Sequence, residues 1–92
     1  MIQVTLKPHA TLKAVFGQND LNISVPEGST IGEVLDQAFG PFRERLEQRY
    51  GLQGTQELLK SCIVLLNGVH DCLETRVKEG DQIDTLDLIP GG

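Results

Sequence analysis

Two segments near the start of the chain alternate apolar and polar residues. Residues 2–7 show this pattern from Ile2 to Lys7, and residues 20–25 repeat it. An alternation with a period of two is typical of a strand with one buried face. Pro8 and Pro26 follow the two segments and predict their ends. The pattern therefore predicts a β-hairpin, whose two strands are joined by a loop over residues 8–19.

A helix is predicted after the hairpin. Thr30 and Glu33 have the spacing of a capping box, in which each side chain accepts a hydrogen bond from the backbone N–H of the other residue. The apolar residues that follow recur on one helix face, at Ile31, Val34, Leu35 and Ala38. Gly40-Pro41 predicts the end of this helix, because proline disfavours helical backbone at the preceding residue. A second, short helix is predicted from Pro41 to Tyr50, with Gly51 as its C-cap.

The second half of the chain contains two further strand patterns. Residues 62–66 form a continuous apolar run, and the turn signal Asn67-Gly68 follows it. The last strand is predicted over Gln82–Ile89. Between these segments, residues 69–77 are consistent with either a short edge strand or a loop. The order of elements predicts an α+β roll with a mixed sheet of four to five strands, one main helix and a short second helix.

Size and charge narrow the classes of function. The 92 residues predict one domain, and an apolar share of 39% is in the globular range. The net charge is −5, and no cluster of Lys and Arg is present, which argues against nucleic-acid binding. No apolar run is long enough to span a membrane, and the N-terminus lacks a signal-peptide pattern. We therefore expect a cytoplasmic protein that binds neither nucleic acid nor membrane and is a monomer by itself.

The sequence ends in Pro90-Gly91-Gly92. At a background glycine frequency of ~7%, a terminal Gly-Gly arises by chance in about 0.5% of chains. Glycine has no Cβ, so such a tail can enter a narrow channel, and its terminal carboxylate is ionised at neutral pH. We predict a folded domain over residues 1–89 and a flexible tail over residues 90–92, with the carboxylate of Gly92 as the reactive group.

Four segments carry a resemblance to a known family. They are, in chain order, Leu12–Gly17, Pro26–Leu35, Val64–Gly68 and Lys78–Ile83. In order and spacing these segments resemble the MoaD/ThiS family of ubiquitin-like sulfur carriers, and the likeness covers nearly the whole chain. The resemblance implies a β-grasp fold, in which the last strand lies in the centre of the sheet beside the first strand.

The resemblance also implies a function as a carrier, not as an enzyme. An E1-like enzyme would use ATP to adenylate Gly92, and a sulfur donor would convert the adenylate to a thiocarboxylate. The carrier, which binds no cofactor itself, would then deliver sulfur to a biosynthetic enzyme, and could form the small subunit of a sulfur-transfer complex. The spacing from Ile83 to the terminus slightly favours a molybdopterin-type pathway. The residues before the Gly-Gly, Asp87–Pro90, depart from that branch and favour a specialised pathway.

Apolar residues that the helix cannot cover predict a docking surface. If alternate residues of the third strand face the helix, Ile63 and Leu65 lie on the opposite face of the sheet. Leu86 and Leu88 of the last strand can join them there. We interpret these four residues as a surface for the adenylating enzyme and the sulfur acceptor. The alternative is that residues 52–60 or a second copy of the chain cover them.

Cys62, His70, Asp71 and Cys72 are the candidates for a metal site. They lack the C-x2-C and H-x3-H spacings of zinc sites, so we predict no metal. We interpret Cys62 as a small buried hydrophobic residue and His70-Asp71 as solvated turn residues. A catalytic cysteine is not expected, because no base is placed to activate it.

Two other functions stay open. The chain could be a protein modifier joined to lysine through Gly92, as ubiquitin is, since the activation chemistry is shared. It could also be a non-covalent β-grasp interaction module in which the Gly-Gly is incidental. Conjugates that depend on Gly92 would identify the first. Function that survives deletion of Gly91-Gly92 would identify the second.

Overall fold

The computed structural model describes residues 1–61 and 63–86, and for residues 10, 11 and 54–61 it describes the backbone alone. This part of the chain contains five strands and three α-helices. The strands are β1 (Ile2–Pro8), β2 (Leu21–Val25), β3 (Ile63–Leu66), β4 (Val69–His70) and β5 (Gln82–Leu86). The helices are α1 (Ala10–Phe16), α2 (Ile31–Phe39) and α3 (Arg43–Ser61), and a 3₁₀ turn over Gly40–Phe42 joins the last two.

The five strands form one mixed sheet in the order β2-β1-β5-β3-β4. β1 pairs with β2 in antiparallel register and with β5 in parallel register, so that Leu6 lies opposite both Leu21 and Ile83. β3 pairs with β5 and β4, both in antiparallel register. The last strand is therefore central and beside the first, as the resemblance implied.

The core lies between one face of this sheet and the helices. The hydrophobic core residues, each with at most 8% of its surface exposed, come from both layers and from one loop position. They are Val4, Leu6, Leu12, Val15, Phe16, Ile23, Val25, Ile31, Val34, Leu35, Ala38, Phe39, Leu46, Val64, Val77 and Ile83. Phe16 joins the helices, because its ring stacks on Phe39 at 5.4 Å between centroids and meets the edge of Phe42 at 4.5 Å. Aromatic pairs of this kind each contribute about 0.5–1.5 kcal/mol beyond their burial.

The capping box predicted for α2 is confirmed. Thr30 Oγ1 accepts a hydrogen bond from the Glu33 N–H at 3.2 Å, and Glu33 Oε1 accepts one from the Thr30 N–H at 3.0 Å. The two bonds satisfy backbone groups that the first turn of a helix leaves without intrahelical partners. They fix the start of the helix that covers the centre of the sheet.

The prediction of a loop over residues 8–19 is wrong, because this segment contains the helix α1. Leu12, Val15 and Phe16 have the i, i+3, i+4 spacing of one helix face, and all three are buried. Gly17 ends the helix with φ of 70°, and its N–H donates to the Lys13 carbonyl at 2.9 Å. A helix of seven residues has little stability in isolation, so the burial of these three side chains is what stabilises it.

The second helix predicted over Pro41–Tyr50 is confirmed, with one difference at each end. It begins with the 3₁₀ turn, and Gly51 interrupts it with φ of 77° and ψ of 169°. Beyond Gly51 the backbone returns to helix as far as Ser61, over a polar stretch for which the pattern predicted no element. None of the helices in the described ranges is long and apolar enough to cross a bilayer.

The structure also decides between the two alternatives for residues 69–77. The segment opens with a short edge strand, β4, whose residues lie opposite Leu65 and Leu66. Asn67 and Gly68 form the turn before it with φ of 51° and 85°, the left-handed backbone that a two-residue hairpin requires. The part of the last strand predicted beyond Leu86 lies outside the described residues, as does Cys62 at the start of the third strand.

Candidate functional site

The predicted reactive tail continues from the central strand of the sheet. Gly92, Gly91, Pro90 and Leu88 lie outside the described residues, so the tail and the domain boundary at residue 89 stay predictions. The last described residue, Leu86, ends β5, which has β1 on one side and β3 on the other. The chain toward the tail therefore starts from a strand that is paired on both sides.

Contacts on both flanks hold β5 in place. At its end, the Thr85 carbonyl accepts a hydrogen bond from the His9 N–H at 3.0 Å. At its start, the Gln82 N–H donates to Asn67 Oδ1 at 2.9 Å, and the Gln82 carbonyl accepts from the Asn67 N–H at 2.8 Å. The side chains of Ile83 and Thr85 are fully buried. A partner that binds the sheet would therefore find the end of β5, at Leu86, in a defined position.

Three of the four predicted docking residues lie on the sheet face opposite the helices. Ile63 and Leu86 are direct cross-strand partners in the β3–β5 pair, which places their Cβ atoms about 4.5–5.5 Å apart. Leu65 is two residues along β3 and lies opposite Asp84. All three are partly buried, whereas Val64 between them is 4% exposed and faces the core. The structure thus brings Ile63, Leu65 and Leu86 together, and their docking role stays a prediction.

A polar pair borders these apolar residues on the β1 side. His9 Nε2 lies 3.0 Å from Asp84 Oδ2, and Gln82 Nε2 donates to Asp84 Oδ1 at 2.9 Å. Lys7 lies opposite Asp84 in the β1–β5 register. Burial raises the pKa of Asp84, but hydrogen bonds from Gln82 and His9 and the charges of His9 and Lys7 outweigh it, so the pKa is lowered. The carboxylate of Asp84 is therefore held in its charged form beside the apolar patch.

The sequence did not single out this polar pair. His9 and Asp84 are 75 residues apart, and only the parallel pairing of the first and last strands brings them together. The alternation of side chains along the strands was the one signal that could have indicated this contact. Lys7 and His9, two residues apart, lie on the same sheet face as Gln82 and Asp84. That signal becomes useful only once the sheet order is known.

The residues considered for a metal site do not all lie in one turn. Cys62 lies outside the described residues, and His70, interpreted from the sequence as a turn residue, is part of the edge strand β4. Asp71 and Cys72 follow β4 at the start of the next turn. Asp71 Oδ1 accepts hydrogen bonds from Thr75 Oγ1 at 2.6 Å and from the Cys72 N–H at 2.8 Å. The hydroxyl of Thr75, followed by the backbone N–H of Cys72, lowers the pKa of Asp71. Cys72 is exposed and not in a disulfide. Within residues 1–61 and 63–86, no group of three His, Cys, Asp or Glu side chains is placed to hold a metal ion.

Solved structures of small ubiquitin-like proteins share this architecture along nearly the whole chain. Small archaeal modifier protein 1 from Haloferax volcanii is 27% identical, with a TM-score of 0.77, and the match covers 98% of this chain and 99% of that one. The protein of the same name from Methanosarcina acetivorans is 27% identical, with a TM-score of 0.73 and coverage of 100% and 98%.

A third similar structure is the complex of subunits 1 and 2 of the molybdopterin-converting factor from Helicobacter pylori 26695. It is 25% identical, with a TM-score of 0.55 and coverage of 99% of this chain and 100% of that one. No protein-family model matches the chain, and a search of curated protein sequences finds no match. The neighbours confirm the predicted β-grasp fold and the resemblance to the ubiquitin-like carriers, and they are small carrier or modifier proteins or subunits of complexes, not enzymes in themselves.

Proposed function

We propose that this chain, which resembles the ubiquitin-like sulfur carriers and modifiers in fold and in sequence, is a sulfur carrier whose working group is the carboxylate of Gly92. The observation that carries the proposal is the end-to-end likeness to such proteins, in a chain whose sequence closes with Gly91-Gly92. The position of β5 in the centre of the sheet supports it, because the tail then follows from a firmly held strand.

The proposed chemistry takes place in two steps on a partner enzyme. In the first, an oxygen of the Gly92 carboxylate attacks the α-phosphorus of ATP on an E1-like enzyme, and pyrophosphate leaves. In the second, a sulfide nucleophile attacks the carbonyl carbon of the acyl adenylate, and AMP leaves with the former carboxylate oxygen. The product is a thiocarboxylate on Gly92. The carrier contributes a reachable carboxylate, and the partner neutralises the charge that develops at phosphorus.

The body of the carrier supplies the recognition surface in this proposal. Ile63, Leu65 and Leu86 offer an apolar centre, and the polar pair of His9 and Asp84 borders it. An interface with an apolar core and a polar rim is the usual arrangement for a specific protein complex. We place the adenylating enzyme and the sulfur-accepting enzyme on this face in turn.

We favour a molybdopterin-type pathway as the one that receives the sulfur. The Helicobacter pylori neighbour is a complex of subunits 1 and 2 of a molybdopterin-converting factor, and its match spans this chain from end to end. By analogy, the acceptor here would be a larger enzyme subunit that receives the tail. A cytoplasmic location accords with this role and stays a prediction.

A second candidate is a protein modifier. It is favoured by the likeness to small archaeal modifier protein 1 in two organisms, at 27% identity each. The adenylation step would be the same, and the difference lies in the nucleophile that follows. A lysine amine of a target protein would attack the carbonyl carbon of the Gly92 adenylate, AMP would leave, and the amine would lose a proton as the isopeptide bond forms.

The test is to activate the chain with Gly92 as its last residue. The protein is incubated with a candidate E1-like enzyme, ATP and sulfide, and intact-mass spectrometry looks for replacement of one oxygen by sulfur. A chain that lacks Gly92 is the matched control. A mass change confined to the intact tail supports the carrier. Failure to form either adenylate or thiocarboxylate with any co-encoded activating enzyme would leave the non-covalent interaction module.

A parallel reaction separates the two candidates. Sulfide is replaced by a lysine-rich acceptor protein, and products are separated by size. Isopeptide conjugates that require Gly92 identify a modifier, whereas a thiocarboxylate without conjugates identifies a dedicated carrier.

A further inference from the structure

The edge strand β2 and the helix α2 enclose a groove that the proposed carrier chemistry does not use. β2 pairs with β1 on one side and, among the described residues, has no strand on its other side. Gln37 of α2 reaches across to this free side, where its Nε2 donates to the Ser24 carbonyl at 2.8 Å. An exposed sheet edge of this kind is a template for another strand.

The contact with Gln37 identifies which backbone groups lie at the open edge. In an antiparallel pair, alternate residues direct both backbone groups toward the partner strand. The Ser24 carbonyl accepts a hydrogen bond from Gln37, so the backbone N–H and carbonyl of Ser24 point away from β1. Asn22, two residues earlier in the strand, directs its backbone groups the same way. Asn22 is exposed, and its N–H and carbonyl face outward beside those of Ser24. The edge therefore offers the backbone groups of Asn22 and Ser24 for pairing with a further strand, and Gln37 already occupies the Ser24 carbonyl.

Two clefts that share Gln37 flank this edge. One, of about 220 Å³, is lined on its apolar side by Leu21, Ala38 and Phe42. The other, of about 420 Å³, is lined in part by the acidic residues Glu33 and Asp36. The groove is therefore apolar near the start of β2 and acidic near its end.

The residues around the groove add to the negative charge at its acidic end. Residues 18–42 contain four acidic side chains and no Lys, Arg or His. The side chains that line the two clefts likewise include no basic residue. A ligand that brings a cation to the acidic end is favoured, and one that brings a carboxylate is repelled.

We propose that this groove binds an extended peptide segment of a partner protein, which adds to the sheet as a strand beside β2. Its backbone pairs with Asn22 and Ser24, and an apolar side chain packs against Leu21 and Phe42. A lysine or arginine lies near Asp36. Main-chain pairing supplies the affinity and the side-chain positions supply the specificity. The site lies on the side of β2 that is turned away from β1 and β5, and apart from the face of Ile63, so the proposed binding does not depend on the activation of Gly92.

The binding test uses the full chain labelled with ¹⁵N and a short capped peptide of alternating valine and threonine that ends in two lysines. We expect shifts of the backbone amide signals of Asn22 and Ser24 and of the Gln37 side-chain amide. The same peptide ending in two glutamates should bind at least about tenfold more weakly. A lysine peptide N-methylated along one edge should not bind, because it cannot pair with β2.

Three variants connect the binding to named groups. Asn22→Pro removes an outward N–H without removing a bond to β1, and binding should fall at least about tenfold. Asn22→Ala keeps the backbone and is the matched control, with binding as in the wild type. Gln37→Ala frees the Ser24 carbonyl and should tighten binding about two- to fivefold. Asp36→Asn should reduce the preference for lysine about two- to fivefold.

Several results would overturn the proposal. They are shifts centred on β3 and β5, equal binding of the lysine and glutamate peptides, or full binding of the N-methylated peptide. Dilution-dependent shifts of Asn22 without any peptide would assign the edge to a second copy of the chain instead. If Asn22→Pro lowers the unfolding midpoint markedly, the N-methylated peptide on the wild-type chain decides the question.

Discussion

The hydroxyl of Thr85 provides a sharp test of how the central strand is packed. Thr85 is completely buried, and its Oγ1 has no hydrogen-bond partner among the described residues. Its cross-strand neighbours are Pro8 and Val64, both buried and apolar. We expect the substitution Thr85→Val, which replaces the hydroxyl by a methyl group of similar size, to stabilise the protein.

The size of the effect follows from the cost of burying an unpaired polar group. That cost is about 1–3 kcal/mol in proteins, and valine is also at least as favourable as threonine in a strand. Allowing for a slightly larger side chain in a tight core, we expect Thr85→Val to raise the free energy of unfolding by about 1–2 kcal/mol. For a domain of this size, each 1 kcal/mol corresponds to a rise of about 4–8 °C in Tm.

Urea unfolding followed by far-ultraviolet circular dichroism measures this change, and the slope of free energy against denaturant should stay the same. Thr85→Ser is the matched control. It keeps the hydroxyl and removes a buried methyl group, so it should destabilise by about 0.5–1.5 kcal/mol. If Thr85→Val also destabilised the protein, the hydroxyl would have a partner, and the reasoning from an unpaired group would be refuted.

Three further predictions concern the helix start, the polar pair and the docking face. Thr30→Ala removes the capping bond to Glu33 and should lower the free energy of unfolding by about 1 kcal/mol, measured by urea unfolding; no loss would mean that the bond is dispensable. The pKa of Asp84 lies below its ordinary value of 3.8, so its contribution to stability is present above about pH 4 and is lost as the pH falls through the lower folded value. Stability measured against pH should therefore fall less steeply in acid for Asp84→Asn, and an unchanged slope would contradict this. Ile63→Thr should weaken binding to the proposed adenylating enzyme about tenfold in pyrophosphate exchange, whereas Val69→Thr, at an exposed position on the other face, should bind normally.

The elements predicted correctly are those whose signal is local. The capping box at Thr30 and Glu33 needs only a spacing of three residues, and the Asn67-Gly68 turn needs only two adjacent residues with left-handed backbone. The strand alternation of residues 2–7 likewise reports burial on one face, whatever the partner strands are. These features are encoded within a few residues, so one sequence is sufficient to find them.

The features that were missed depend on distant contacts. α1 lacks a side-chain cap at its start, and its last turn is held from another helix, where Arg45 donates to the Val15 carbonyl at 2.8 Å. The pairing of Ile63 with Leu86 was anticipated as a shared face, but their direct opposition needs the β3–β5 register. Strand parity alone can place residues on a face, and only the sheet order makes them neighbours.

The central position of β5 links recognition to the completion of folding. β5 is the last described strand to be synthesised, yet it fills the gap between β1 and β3. Pairings between such distant segments close large loops and form slowly. Until β5 inserts, Leu86 cannot lie beside Ile63, and the facing edges of β1 and β3 remain open. A nascent or partly unfolded chain would therefore lack the proposed docking face, and a partner that binds this face would select the fully folded chain.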